Sequence, residues 1–141
     1  MIIIDEKKIN EIIKERRPAS VALNGPDGLL PKVQELALKI SKKFGIPAYL
    51  LADTTWGTCD LNSIGAKILN AEILFNIGHT NRIEIFEKNV FMINAFDDIS
   101  FDKVTKKCIE LVRGKTISLI TDSQHLHQIQ SVKKILEENG V

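Results

Sequence analysis

The chain has 141 residues, of which 44% are hydrophobic and 26% are charged, and its formal net charge at pH 7 is +1. This length suits one modest domain with a real core, and the balanced charge argues against direct binding to nucleic acid or to an anionic membrane. No apolar run reaches the roughly 18 residues of a membrane span, and the opening residues do not have the pattern of a signal peptide. We therefore expect a cytoplasmic protein whose two cysteines, Cys59 and Cys108, are reduced.

The hydrophobic pattern alternates between helices and short buried strands. Ile9, Ile12 and Ile13 share one face of the first predicted helix, and Pro18 ends it because proline disfavours helix at the preceding residue. In chain order we predict helix 5–16, strand 20–24, helix 29–44, strand 46–52, helix 61–70, strand 71–77, edge strand 82–86, strand 89–94, helix 101–113, strand 115–121 and helix 123–139. This alternation predicts a three-layer α/β/α fold with a mostly parallel sheet and helices on both faces.

The last part of the chain interrupts this rhythm. Gly114 closes a predicted helix, and only one further strand and helix follow it. We therefore predict a first α/β domain over residues 1–113 and, over residues 114–141, the opening strand and helix of an incomplete second unit.

Cys59 lies in a polar loop, Asp53-Thr-Thr-Trp-Gly-Thr-Cys-Asp60, that follows a predicted strand and precedes a predicted helix. Parallel α/β proteins bind ligands at such positions, so Cys59 is a candidate reactive or metal-binding thiol. Cys108 instead lies on the apolar stripe of a predicted helix, which favours a small buried core residue. The chain has no Cys-x-x-Cys motif and no histidine at ligand spacing from Cys59, so it cannot complete a zinc or iron–sulfur site by itself.

Polar residues follow several predicted strands, and parallel strands bring their C-terminal ends to one edge of a sheet. These residues are Asn24, Asp27 and Gly28; Asp53, Thr54, Trp56 and Cys59; Gly78 and His79; and Thr121, Asp122, Gln124 and His125. Asp27 at a helix start suits an amine or a ribose hydroxyl better than a phosphate. His79 is either a structural histidine or part of a site, and Trp56 either packs in the core or shields a ligand from water.

Three of these stretches resemble the diphthamide synthesis family, the 2-(3-amino-3-carboxypropyl)histidine synthases. They are residues 22–30 (ALNGPDGLL), 51–60 (LADTTWGTCD) and 76–80 (NIGHT), and residues 121–126 are similar to the start of the family's second domain. The resemblance implies a protein of three similar α/β domains, each of which supplies one cysteine to a single 4Fe–4S cluster. The open iron of that cluster is implied to bind S-adenosylmethionine.

Reductive cleavage of S-adenosylmethionine is implied to give a 3-amino-3-carboxypropyl radical that adds to a histidine of translation elongation factor two. Archaeal members of the family act as homodimers, so the resemblance also implies a homodimer. Cys59 matches the first cluster cysteine. Asp27, Gly28, Asp53 and His79 match loop residues on the same rim, and we expect them to support cofactor or substrate binding.

The second and third cluster cysteines of the family are missing from this chain. One hypothesis is therefore an enzyme of diphthamide synthesis of which this chain is a fragment, inactive alone, with an empty cluster site and a free Cys59 thiol. The alternative is a non-catalytic α/β module that binds a small ligand on the rim or docks to a partner supplying the missing cysteines. A receiver-like domain is set aside, because Asn24-Gly25 ends the first strand where that fold needs clustered acids.

Overall fold

The computed structural model describes residues 2–53, 55, 57, 60–80 and 88–141. The elements are β1 (Ile2–Ile4), α1 (Glu6–Arg16), β2 (Val21–Asn24), α2 (Leu30–Phe44), β3 (Ala48–Leu50), α3 (Ser63–Ile68), β4 (Ile73–Ile77), β5 (Val90–Ile93), β6 (Ala95–Asp97), α4 (Asp102–Val112) and α5 (Ile129–Glu137). Short 3₁₀ turns, Asp27–Leu29 and Leu126–Gln128, lead into α2 and α5. No helix among these described residues is long and apolar enough to cross a membrane.

Among the described residues, four strands form a parallel sheet in the order β3-β2-β4-β5. Ala22 of β2 lies opposite Tyr49 of β3 and Leu74 of β4, and Phe75 of β4 lies opposite Phe91 of β5. The parallel sheet and its intervening helices confirm the predicted three-layer α/β/α fold class. Because β3 and β4 lie on opposite sides of β2, the chain reverses its direction of travel across the sheet between β2 and β4. Open α/β sheets bind ligands just beyond the strand ends at such a switch point.

The described residues form two compact units. The first comprises residues 4–95 and contains the parallel sheet with α1, α2 and α3. The second comprises residues 96–141 together with residues 2–3, so α4 and α5 belong to the same unit. The domain boundary that the sequence predicts after residue 113 remains a prediction.

The core of the first unit comes from strands that are apolar on both faces, as expected for a sheet covered by helices. The largest apolar side chains that are fully buried are Val21, Leu23, Phe75, Ile77 and Ile93 of the strands, Ile9 of α1 and Val33 of α2. The buried residues of α2 are Val33, Leu36, Ala37 and Ile40, which lie on one face of the helix. The helix ends where Gly45 adopts the left-handed conformation (φ 68°) and donates its N–H to Ser41 O, a common role of glycine at a helix C-terminus.

The predicted strand over residues 115–121 is wrong, because this segment has no regular structure and Ile120 is 91% exposed. A strand is stable only when a neighbouring strand satisfies its backbone N–H and C=O groups, and none of the described strands pairs with this segment. The helix predicted over residues 123–139 begins only with the 3₁₀ turn at Leu126.

The structure also contains two strands that the sequence pattern did not predict, β1 and β6, which pair with each other. Each has three residues, which is too short for a pattern of alternating burial to be recognised. The predicted edge strand over residues 82–86 lies outside the described residues.

Candidate functional site

Two asparagines lie side by side where β2 and β4 end, at the switch point of the sheet. Asn24 pairs in register with Asn76, and both side chains are fully buried. A buried amide is costly unless its donor and acceptor atoms are hydrogen-bonded. Among the described residues, however, Asn24 Oδ1 and Asn76 Nδ2 have no hydrogen-bond partner. An unsatisfied buried amide in a native fold needs an explanation, and a functional role is one of the few available.

Asn24 connects the sheet to the loop that contains Cys59. Its Nδ2 donates to Thr55 Oγ1 at 3.3 Å, and the buried Thr55 hydroxyl donates in turn to Asp53 O at 3.3 Å. The Asp53 carboxylate accepts a hydrogen bond from Asn62 Nδ2 at 2.6 Å, and Asn62 Oδ1 caps α3 by accepting from Gly65 N at 3.0 Å. The beginning of the loop is thus held to β2 on one side and to the start of α3 on the other.

Asn76 contacts the second candidate group, the imidazole of His79. The distance from Asn76 Oδ1 to His79 Nδ1 is 2.9 Å, within hydrogen-bond range. Burial lowers the pKa of His79 below its ordinary value of 6.5, and the carboxylate of Asp60 raises it in part. Because the net direction is downward, His79 is neutral at pH 7 and one of its ring nitrogens carries a lone pair.

The turn before α2 and the loop after β4 pack closely against each other. Gly78 has a φ of 83°, and a Cβ atom at this position would lie 3.0 Å from Leu29 Cδ1 and 3.4 Å from Pro26 Cδ. The side chain of Asp27 and the backbone of Gly28 are exposed on the same turn. The structure therefore brings the Pro-Asp-Gly turn next to the loop that carries His79.

Substitution by alanine should destabilise the protein much more at Gly78 than at Gly28. Gly78→Ala should lower the free energy of unfolding by about 1–3 kcal/mol, since it adds a Cβ in the left-handed region and crowds Leu29. Gly28→Ala is the matched control and should change stability by no more than about 0.5 kcal/mol, because an added Cβ there would meet no atom of the described residues within 4 Å beyond its chain neighbours. Urea unfolding of both variants measures the difference. An equal loss at both positions would contradict the packing described for Gly78.

The other predicted site residues lie either outside the described residues or in the second compact unit. Cys59, Thr54 and Trp56 lie outside the described residues. Thr121, Asp122, Gln124 and His125 belong to the second compact unit. Cys108 lies within α4 of that unit and is half-buried, beside other apolar side chains of α4 and α5.

Two residues of the site were not singled out from the sequence. Thr55 is one of several polar residues in its loop, and Asn76 lies inside a predicted strand. The signal that could have found Asn76 is the polar residue in the otherwise apolar run of β4 (ILFNI). A strand buried on both faces is normally apolar throughout, so an interrupting amide indicates a specific role.

The donor atoms of this chain can supply part of an iron–sulfur site. Such clusters are held by several cysteine thiolates, and the sequence contains two cysteines, of which Cys108 lies within a helix of the other unit. Among the described residues, no group of three histidine, cysteine, aspartate or glutamate side chains could hold a metal ion. Cys59 as one thiolate ligand remains a prediction from the sequence, and the two cysteines of this chain are fewer than the thiolates that such a cluster takes.

Known proteins resemble this chain over most of its length. It is 28% identical over 136 residues to the 2-(3-amino-3-carboxypropyl)histidine synthase of Pyrococcus horikoshii, a match covering 93% of this chain and 40% of that protein. It is 27% identical over 131 residues to subunit 1 of the Gallus gallus synthase, covering 89% of this chain and 32% of that protein. The chain therefore spans less than half the length of these relatives.

A solved structure also resembles this chain over nearly its whole length. The crystal structure of Dph2 from Pyrococcus horikoshii with a 4Fe–4S cluster matches 99% of this chain and 42% of its own chain, with a TM-score of 0.89 and 26% identity. The family described as "Putative diphthamide synthesis protein" matches residues 25–141, which include the Pro-Asp-Gly turn, the Cys59 loop and the His79 loop. The chain belongs to this family of diphthamide synthesis proteins.

Proposed function

We propose that this chain is a cluster-binding α/β domain of a 2-(3-amino-3-carboxypropyl)histidine synthase, in which Cys59 supplies one thiolate to a 4Fe–4S cluster. The observation that carries the proposal is the match of nearly the whole chain to a Dph2 structure that contains such a cluster. The position of the Cys59 loop supports it, because the loop follows β3 at the C-terminal edge of a parallel sheet.

The proposed reaction transfers a 3-amino-3-carboxypropyl group from S-adenosylmethionine to a histidine of translation elongation factor two. When bound in the complete enzyme, the cluster would supply the electron that cleaves S-adenosylmethionine and releases a 3-amino-3-carboxypropyl radical. Because the proposed substrate is a translation factor, we propose that the reaction takes place in the cytoplasm. The complete enzyme is proposed to be a homodimer. Alone, this chain is expected to be inactive because it contributes one of the several thiolates that a cluster requires.

The residues of this chain are proposed to bind and orient the cofactor. Asp27 and Asp53 present carboxylates on the exposed rim, and carboxylates attract a cationic ligand such as the sulfonium of S-adenosylmethionine. Gly28 leaves the backbone of its turn open to close approach, since an added Cβ would have open space around it among the described residues. The neutral imidazole of His79 offers a hydrogen-bonding group on the loop that packs against the Pro-Asp-Gly turn.

The test is anaerobic reconstitution of the complete enzyme that contains this domain, with iron and sulfide. The expected result is the broad visible absorbance of thiolate-bound iron, together with transfer of label from S-adenosylmethionine carrying a labelled 3-amino-3-carboxypropyl group to elongation factor two. S-adenosylmethionine labelled only on its methyl group is the control and should transfer no label. Failure to gain the absorbance, or transfer of the methyl label instead, would contradict the proposal.

A second candidate is a non-catalytic module that binds a ligand or a partner protein. It is favoured by the cysteine content of the chain, because one thiolate from Cys59 cannot hold a cluster. Sequencing the coding region beyond the codon for Val141 distinguishes the two candidates. An open frame with two further cysteine-bearing α/β domains would rule out the module, whereas a stop codon would favour it.

A further inference from the structure

We infer that the buried asparagines of the switch point are positioning residues for the site. Asn76 holds His79 in the tautomer with a proton on Nδ1, so that Nε2 keeps its lone pair and accepts a hydrogen bond from an ammonium or hydroxyl group of a ligand. Asn24 holds Thr55 and, through it, the carbonyl of Asp53 at the end of β2. Neither asparagine is a candidate for direct contact with the reacting atoms, since both are fully buried.

The role of Asn76 follows from its fixed position and from its distance to His79. Its backbone pairs with Asn24 of β2 on one side and with Met92 of β5 on the other, and its side chain is fully buried. Asn76 Oδ1 lies 2.9 Å from His79 Nδ1, and because an amide oxygen only accepts, we assign Nδ1 as the donor. In a neutral imidazole the other nitrogen, Nε2, is then an acceptor.

The role of Asn24 follows from a chain of two hydrogen bonds. Asn24 Nδ2 donates to Thr55 Oγ1, and the Thr55 hydroxyl donates to the carbonyl oxygen of Asp53. Thr55 is 3% exposed, so little water competes for its hydroxyl. This connection fixes the first part of the loop against the end of β2, four residues before Cys59.

Each of the two amides also has one buried atom without a hydrogen-bond partner among the described residues, and such an atom costs stability. Apolar side chains would fill both positions without leaving Asn24 Oδ1 and Asn76 Nδ2 unsatisfied among the described residues. Both amides occur at one level of the sheet, where Asn24 contacts Thr55 and Asn76 contacts His79. Polar groups that cost stability and cluster at a switch point are typical of a site.

A lone pair on Nε2 selects a ligand group that donates a hydrogen bond. The carboxylates of the surrounding rim favour the same kind of group. Asp27, Asp53 and Asp60 place three carboxylates on the exposed part of the first unit near the strand ends. Such a rim favours ammonium and hydroxyl groups over anions. This part of the inference rests on the proposed function, in which S-adenosylmethionine carries both an ammonium group and ribose hydroxyls.

The tautomer of His79 can be measured directly by long-range ¹H–¹⁵N NMR of the chain labelled with ¹⁵N-histidine, at a pH above the ordinary histidine pKa. The chain has three histidines, and loss of one signal set in His79→Gln assigns His79. The expected wild-type pattern is a proton on Nδ1. Asn76→Leu should move the proton to Nε2, and Asn76→Asp should restore it to Nδ1 because a carboxylate accepts at both oxygens.

A proton on Nε2 of His79 in the wild-type chain would overturn the role of Asn76, since the amide would then be reversed with Nδ2 donating to the imidazole. This readout is made on the wild-type chain and uses the His79→Gln variant only to assign the signals. It also needs no cluster or substrate, so its failure is distinguishable from failure of the proposed function.

The role of Asn24 is tested by the rate at which iodoacetamide alkylates Cys59 in a Cys108→Ala background, where Cys59 is the remaining thiol. Thr55→Val removes the hydroxyl at nearly constant volume and should raise the rate several-fold because the loop loses its connection to Asn24. Thr55→Ser keeps the hydroxyl and should return the rate to that of the parent. An unchanged rate in Thr55→Val would overturn this role.

Discussion

Replacement of Cys59 by alanine should abolish the visible absorbance of the reconstituted complete enzyme, and with it the transfer of the 3-amino-3-carboxypropyl group. The physical reason is the number of ligands, because an iron–sulfur cluster held by three thiolates loses one of them and leaves two irons without a protein ligand. The expected loss is close to complete for both absorbance and activity. Absorbance spectra before and after anaerobic reconstitution measure it.

Cys108→Ala is the matched control for this experiment, because it removes the other cysteine of the chain by the same substitution. Cys108 is half-buried among apolar side chains of α4 and α5, a setting that favours a packing role for a thiol. The control should therefore keep its absorbance and lose only some stability. Retention of absorbance in Cys59→Ala, or its loss in Cys108→Ala alone, would contradict the assignment of the cluster ligand.

The sequence was sufficient to predict the parallel sheet and the places where its strands end. Strands such as β5 (VFMI) are continuous apolar runs separated by helical patterns, and this alternation permits few arrangements other than a parallel sheet. The end of α2 was equally predictable, because Gly45 can adopt a left-handed conformation without strain. These features depend on local chemistry, which a single sequence contains.

The contacts between loops could not be predicted in the same way. The hydrogen bond between Asn24 and Thr55 joins residues that are 31 positions apart, and no local pattern specifies it. For residues 115–121 the sequence predicted a strand that the structure does not contain. The apolar residues of this segment favour a strand, but a strand also requires a neighbouring strand to pair with. Sequence reasoning therefore predicted where the strands end, whereas the hydrogen bonds between the loops became visible only in three dimensions.

Substitutions of Phe75 and Asn76, which are neighbours in β4, should affect stability in different ways, although both side chains are fully buried. Phe75→Ala should lower the free energy of unfolding by about 3–5 kcal/mol, because it leaves a large cavity in the core. The Phe75 ring centroid lies 6.1 Å from that of Phe91 on the adjacent strand, so this aromatic contact is lost as well. Urea unfolding gives the change from the transition midpoint at a constant slope.

Asn76→Leu at the next position should leave stability within about 1 kcal/mol of the wild type or raise it. The substitution gives up the hydrogen bond to His79, but it also removes an Nδ2 atom that has no partner among the described residues. Leu38→Ala, on the exposed face of α2, controls for unspecific effects and should change stability by no more than about 0.5 kcal/mol. A loss at Asn76 as large as that at Phe75 would show that the amide is required for folding.

The contrast between Phe75 and Asn76 distinguishes a residue that stabilises the sheet from one that we propose to serve the candidate site. Phe75 is buried because burial of an aromatic ring stabilises the fold. Asn76 is equally buried, yet its amide leaves a donor unsatisfied among the described residues and contacts the imidazole of His79 at the end of the sheet. If Asn76→Leu keeps the fold while His79 changes its tautomer, the amide is retained for the orientation of His79, at the edge where parallel α/β proteins bind their ligands.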